Sequence, residues 1–535
     1  MEEKFYQFLE EYYYRIETLS AQSNLKYFDA SISGLEEDYN EAAKLQLEMS
    51  RIYSDKELFK QLKEFKDSGE IKDVVKQREL QLIYNEFAGN QFSEELHKEI
   101  INLSIKIEKD FSTFRAEFNG NKISDNEIDK ILDNSTNSAE LKTVWEESKK
   151  IGKVVAEDVL KLVKLRNKGA RDLGFENYHD MSLKLNEQDY ASLDNLFNEL
   201  NSLIEISFEQ LKDEIDDYLS VKFGIPKDEL MPWHYEDKFF QQGPKIYDTD
   251  IDKHFENKNI SKITQDYFNG INLNIDDLIA NSDLYEKDGK YQHAYCTDID
   301  RNGDIRVLCN IKQNQRWMGT MLHEFGHAVY DKNISSKLPW QLRIYGHIFT
   351  TEAIAMLFGR LSHNPEWLKE MVGISEKDAA KIAELSFNSL RSEQLIFSRW
   401  VQVMYHFEKE MYSNPDQDLN AIWWQLVEKY QLIKKPEGRN EPDWAAKIHI
   451  ALYPAYYHNY MLGELLASQL HNFITTKVLK LPKNNTESFV GKTEVGDYLK
   501  HLFFSYGALF PWNELIEKAT GEELTPKYYA KQFVK

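Results

Sequence analysis

The first proline is Pro226, so 225 residues pass without the strongest helix breaker, and a long helical series is predicted over this half of the chain. Within it, the stretch from Asn137 to Gly174 repeats apolar residues at intervals of three and four, the period of an amphipathic helix. Ser124 and Asn137 each stand three residues before a glutamate, Glu127 and Glu140, which marks helix starts, and Gly174 supplies a stop. The period changes at residues 291 to 311, "YQHAYCTDIDRNGDIRVLCNI". Two β-rich runs flank Asn302-Gly303 there, and a tight hairpin turn is expected. The same residues begin like a calcium loop, Asp298-x-Asp300-x-Asn302-Gly303, but Cys309 stands where the loop needs a bidentate glutamate. From residue 314 to 330 the helical period returns. Prolines and glycines gather at 224 to 244 and 435 to 442, in clusters short enough for interhelical loops, and no internal repeat is present. The pattern describes a mainly helical, all-α fold with one minor hairpin, read as a single domain over 1–535.

Composition narrows the function classes. No apolar run approaches the roughly 18 to 20 residues of a membrane span, and "MEEKFYQFLEEYYYRIETL" starts acidic and amphipathic, without the basic segment and apolar run of a signal peptide. A cytoplasmic location is expected, export remaining open for a chain trimmed of a leader. The net charge is −23, 89 acidic against 66 basic residues, a field that repels phosphate backbones and anionic lipid, so neither nucleic acid nor membrane is an expected partner. Two cysteines, Cys296 and Cys309, are too few for a disulfide framework; they are read as reduced thiols, with pairing the alternative if their segments form a hairpin.

The chemistry concentrates in "GTMLHEFGHAVYDKN", residues 319 to 333. On one helix His323 and His327, four apart, project from the same face and can share an ion. Imidazole nitrogens at that spacing suit Zn²⁺, one per chain, although cobalt or manganese would suit the same ligands. Glu324 is then placed to take a proton from the metal-bound water. A catalytic zinc needs a third protein ligand, and Glu352 follows His327 by 25 residues within the otherwise apolar "FTTEAIAMLFGRL". The alternative for Glu352 is a solvated position in a first helical turn capped by Thr350 or Thr351.

His-Glu-x-x-His followed by a glutamate on the succeeding helix resembles the gluzincin metallopeptidases, and "HEFGHA" is similar to the thimet oligopeptidase and oligoendopeptidase branch. Further residues resemble the angiotensin-converting enzyme family more narrowly: His293-Ala294, with His293 31 residues before Glu324; "WWQLVEKYQ" at 423 to 431; and "KIHIALYPAYYHNYM" at 447 to 461. The likeness runs from about 220 to 470, the expected catalytic core. It implies that Tyr460 and His449 stabilise the oxyanion and that His293 and Ala294 bind the substrate backbone. Lys447, Tyr457 and Gln241 would clamp a free C-terminal carboxylate, with Gln242 competing for the last role. Read without the family, "YPAYYHNY" is an aromatic helix face of the kind that fills cores.

The resemblance further implies a zincin-like fold of two helical halves around a deep channel that admits flexible short peptides, with about 1–120 as a helical lid. The activity it implies is that of a peptidyl-dipeptidase, a dipeptidyl carboxypeptidase. The alternatives are an oligoendopeptidase cutting short peptides internally and, from another class, a non-catalytic peptide-binding protein on the same fold. Four family positions depart from the pattern, one of them Gln292, which stands where the family's disulfide through the Cys309 position has its partner. An aspartate that orients a zinc-bound histidine is Met356 here, and two arginines associated with chloride are Asn459 and Val427. The group that orients the histidine must therefore come from elsewhere, and chloride activation is not expected. The oligomeric state is left open, a monomer included.

Overall fold

A computed structural model describes residues 1–247, 251–482 and 487–534. Helices dominate it, and the strands among the described residues form two antiparallel two-stranded sheets, so the all-α class holds. No helix among these residues is long and apolar enough to cross a membrane. The chain divides into two compact units, taken here in turn. One comprises Met1–Gln91, Thr249–Phe387 and Leu462–Gln532, the other Phe92–Asp248, Asn388–Met461 and Phe533–Lys535.

The first unit begins with helices Glu2–Ser33, Glu36–Tyr53, Lys56–Ser68 and Val74–Gly89. Phe5, Phe8, Tyr12 and Ile16, spaced by three and four, form one apolar stripe; with Leu62, Phe65, Ile83, Phe87 and Trp340 they make a shared core. The far end of the first helix braces the predicted hairpin. Asn24 Nδ2 donates to the carbonyls of Asp298 and Ile299 at 3.2 Å, and Phe28 packs on Ile299 and Leu308.

That hairpin pairs Tyr295–Asp298 with Ile305–Leu308. Its turn is wider than a two-residue Asn-Gly turn, because left-handed backbone falls at Arg301 (φ 54°) and Gly303 (φ 115°). Asp298 accepts the Arg301 N–H at 2.8 Å, and Asp300 accepts those of Asn302 and Asp304 at 2.8 and 3.1 Å. The carboxylates that look like a calcium loop thus serve the turn's own amides. Cys296 lies opposite Val307, which leaves Cys309 one diagonal step away, and both thiols are free. One outer edge of the hairpin is covered, since Asp283 N–H donates to the Val307 carbonyl and Cys309 N–H to that of Asp283, each at 2.9 Å. The other edge, along Tyr295–Asp298, carries no further strand among the described residues.

In the second unit the predicted caps are present. Ser124 and Glu127 form a reciprocal capping box, Asn137 accepts the N–H of Ala139 and Glu140, and the helix Ser138–Asp172 stops just before Gly174 at φ 91°. A short hairpin unread in the sequence, Ala116–Phe118 with Asn121–Ile123, turns at Asn119-Gly120. Its strands of three residues are too short to show alternation, although the Asn-Gly signal was present. Residues 224 to 247 and 432 to 442 are connections between helices, as expected, and the paired tryptophans sit on helix Leu419–Gln431.

Candidate active site

The histidines lie on helix Gln315–Lys332, whose start is fixed by Asn314 accepting the Trp317 N–H at 2.9 Å. Their ring centroids are 4.9 Å apart. The next helix, Ile348–Gly359, crosses it closely because Gly326 has no side chain. A methyl group there would stand 2.8 Å from Ala355 Cα. This approach brings Glu352 Oε2 to 3.6 Å from His323 Nε2 and 4.0 Å from His327 Nε2. Glu352 is therefore not a solvated residue of a first helical turn. Thr350 does the capping, its hydroxyl accepting the His347 N–H at 3.2 Å.

One donor atom from each of His323, His327 and Glu352 lies within 4.8 Å of the other two. Tetrahedral zinc with ligands near 2.0 to 2.1 Å needs them about 3.3 Å apart, so the three side chains must draw together around the ion. The electrostatics fit a cation as well. Burial lowers His323 to about 4 and His327 well below the ordinary imidazole range, leaving both neutral, the metal-ligating form. Burial, then the nearby Glu464 carboxylate, raises Glu352 to about 7. Burial and then Glu352 raise Glu324 to about 8, against one hydrogen bond from the backbone N–H of Cys296. Two buried carboxylates beside two neutral imidazoles form a set that a divalent cation would return to its charged state.

The position of the missing family aspartate, Met356, contributes no charge. His327 Nδ1 is held at 2.7 Å by the hydroxyl of Thr351. His293 is exposed beside Tyr291, and Ala294 precedes the open hairpin edge.

The remaining candidates belong to the second unit. Lys447 Nζ donates to Gln241 Oε1 at 2.6 Å, so the structure groups Gln241, rather than Gln242, with Lys447. Tyr457 Oη accepts the Trp400 indole N–H at 2.9 Å, which leaves its own proton to donate. Lys447 lies 5.6 Å from the Tyr457 ring centre, and burial brings its ammonium down to about 8, opposed by Asp237. The Asp237 carboxylate also accepts the Gln241 N–H at 3.1 Å and so fixes this loop. His449 packs on Tyr457, its Nδ1 is buried with no hydrogen-bond partner among the described residues, and burial followed by Lys447 lowers it to about 4. Tyr460 is half-buried against Tyr456 and Tyr457. The aromatic segment is thus part core and part polar cluster.

Both positions linked to chloride are filled differently from the family pattern. Asn459 Oδ1 accepts from Gln188 Nε2 at 2.9 Å, and Gln188 Oε1 meets His458 Nε2 at 2.8 Å. Val427 lines a small, partly open pocket with Lys149, Phe239 and Trp423. Sequence reasoning missed Thr351, Gln188 and the Cys296 N–H. The first had been weighed only as a cap, and the others carry no motif.

A helical fold with an HExxH helix, a glutamate from the following helix and an adjacent hairpin defines the gluzincin class. Within that class the chain belongs to the angiotensin-converting enzyme family of M2 peptidases, whose family model matches residues 1–529. Carboxypeptidase 1 of Bacillus subtilis is 26% identical over 264 residues, 44% of this chain and 50% of that protein. Angiotensin-converting enzyme of Rattus norvegicus is 25% identical over 238 residues, 43% of this chain and 18% of that protein. Thermostable carboxypeptidase 1 of Pyrococcus furiosus is 21% identical over 266 residues, 45% of this chain and 51% of that protein. The chain thus spans about half the length of the carboxypeptidases it matches and under a fifth of the angiotensin-converting enzyme.

Proposed function

We propose that this protein is a zinc metallopeptidase that removes dipeptides from the free C-terminus of short peptides. The observation that carries the reading is the His323, His327 and Glu352 ligand set with Glu324 beside it, in a chain matched by an M2 peptidase family model from residue 1 to 529. Zinc, when bound, supplies a Lewis acid that polarises the peptide carbonyl and makes a water nucleophilic near neutral pH. Glu324 takes the proton of that water at its carboxylate and passes it to the departing amine. The Cys296 N–H holds the same carboxylate in orientation. The hairpin edge beginning at Ala294 pairs with the substrate backbone as an added strand, with His293 at its end. Tyr460 and His449 stabilise the oxyanion, an assignment supported by the family resemblance.

The C-terminal carboxylate is held by Lys447, Tyr457 and Gln241, whose free hydrogen-bonding capacity is that of donors: an ammonium, a phenol already accepting from Trp400, and an amide whose oxygen is taken by Lys447. The relatives named as carboxypeptidases support action at a C-terminus over internal cutting. They also favour a second reading, in which a single residue rather than a dipeptide leaves. Mass spectrometry of the products from one short peptide, offered as free acid and as amide, tests all of these. Dipeptides released from the acid alone are expected. Single residues from the acid would select the second reading, and internal cuts in both forms would overturn the carboxylate clamp.

A further inference from the structure

The geometry points to Thr351 as the residue that positions His327 for metal binding. The inference rests on the zinc reading above and adds to it a residue with no place in the HExxH pattern. Thr351 and Glu352 are neighbours on one helical turn, and together they address both nitrogens of the same ring. Glu352 Oε2 lies 4.0 Å from Nε2, while the Thr351 hydroxyl lies 2.7 Å from Nδ1. With Nε2 directed at the metal, Nδ1 carries the proton and donates it to Thr351 Oγ1, which fixes both tautomer and ring angle.

The hydroxyl is not explained by helix capping. His347 is the N-cap, its Nδ1 accepting the Phe349 N–H at 3.3 Å, and Thr350 accepts the His347 N–H at 3.2 Å and donates to the His347 carbonyl at 2.7 Å. That carbonyl is the one a mid-helix threonine at 351 would otherwise seek, four residues back. Thr351 is 2% exposed, so its hydroxyl has no solvent to turn to. The bare backbone of Gly326, immediately before His327, lets the two helices approach closely enough for this contact. A hydroxyl withdraws less of the imidazole proton than a carboxylate does. His327 held by a hydroxyl is therefore a less basic ligand than one held by a carboxylate.

The test is zinc affinity, measured by competition with a chromophoric chelator on the full-length apoprotein, for wild type, Thr351→Val, Thr351→Ala, Thr351→Ser and Glu352→Gln. The d–d absorption of the Co²⁺-loaded forms is recorded alongside, and apoprotein melting shows which variants fold. Thr351→Val, which keeps the shape, is expected to lose about 10- to 100-fold in affinity and to alter the Co²⁺ spectrum. Thr351→Ser should stay within about threefold of wild type, because it keeps the hydroxyl. Thr351→Ala serves in place of valine if valine fails to fold. Equal zinc affinity for wild type and the folded hydroxyl-free variant overturns the role of Thr351 alone. Wild type holding no zinc, or Glu352→Gln binding as tightly as wild type, overturns the ligand set and this inference with it.

Discussion

The ligand set of the first unit and the Lys447 cluster of the second are opposite solutions to one problem. In the first, buried carboxylates are raised and imidazoles lowered, so Glu324, Glu352, His323 and His327 all move toward neutrality. In the second, a buried ammonium is lowered and the polar groups around it present donors. Each is a group of side chains prepared for a charge that it does not itself contain, a cation in one case and an anion in the other. Fixing such groups costs stability, and the binding partner recovers it. Some buried charge elsewhere in the chain is paired internally, as in Arg360 with Glu464 or Arg439 with Asp443. Local neutralisation is therefore available to this fold, and in these two clusters it is withheld.

The sharpest way to break the comparison is to change chemistry without changing occupancy. Glu324→Gln keeps the shape and the bond from the Cys296 N–H but removes the proton acceptor. Turnover should fall by about 10² to 10⁴ while zinc content, measured by metal analysis, stays at the wild-type level. Near-normal turnover would remove Glu324 from the role of base, and lost zinc would make it a support of the ligand set instead.

The second cluster is tested by its charge. Lys447→Met should lower kcat/KM on a free-acid peptide by about 10- to 100-fold, the worth of a hydrogen bond to a charged group, and should leave the slow reaction of the amide unchanged. The sign of the pH dependence follows from the same residue. Lys447 grips a carboxylate only when protonated, and burial has brought it to about 8, so kcat/KM for the free acid should fall as pH rises above about 8. That alkaline limb should be absent in Lys447→Met. An equal loss on acid and amide, or an unchanged limb, would reduce the cluster to packing.

How much of this could be read beforehand depended on how each feature is encoded. Contiguous patterns were legible: the caps at Ser124 and Asn137, the helix bearing His323 and His327, and the hairpin signalled by Asn302-Gly303. The hairpin's turn was misjudged because Asp298 and Asp300 bond to amides within the loop, a matter of side-chain direction that spacing does not specify. Glu352 was visible as a carboxylate in an apolar stretch. Thr351 beside it was not, because a threonine near a helix start has an adequate local explanation. Its role appears only when Gly326 brings the two helices together, and Gly326 reads in the sequence as one more residue of a motif. Gln188 lies 271 residues from Asn459 in the chain, and no local pattern links them.

That pair supplies the smallest expected effect and the finest contrast between the units. If the second unit held a standing anion as well as a substrate carboxylate, a buried cation would have to await it. At Asn459 none does, because the amide accepts from Gln188, and Gln188 is in turn tied to His458. Lys149 lines the pocket beside Val427, but its Nζ lies 3.2 Å from the centre of the Phe239 ring, a partner it already has, and burial disfavours its charged form. Exchange of chloride for acetate at constant ionic strength should therefore change kcat/KM by less than about twofold, with screening held fixed. Stimulation specific to chloride, abolished by Lys149→Met and not by Gln188→Ala, would show that Lys149 is charged in the working protein and that the second unit accommodates two anions.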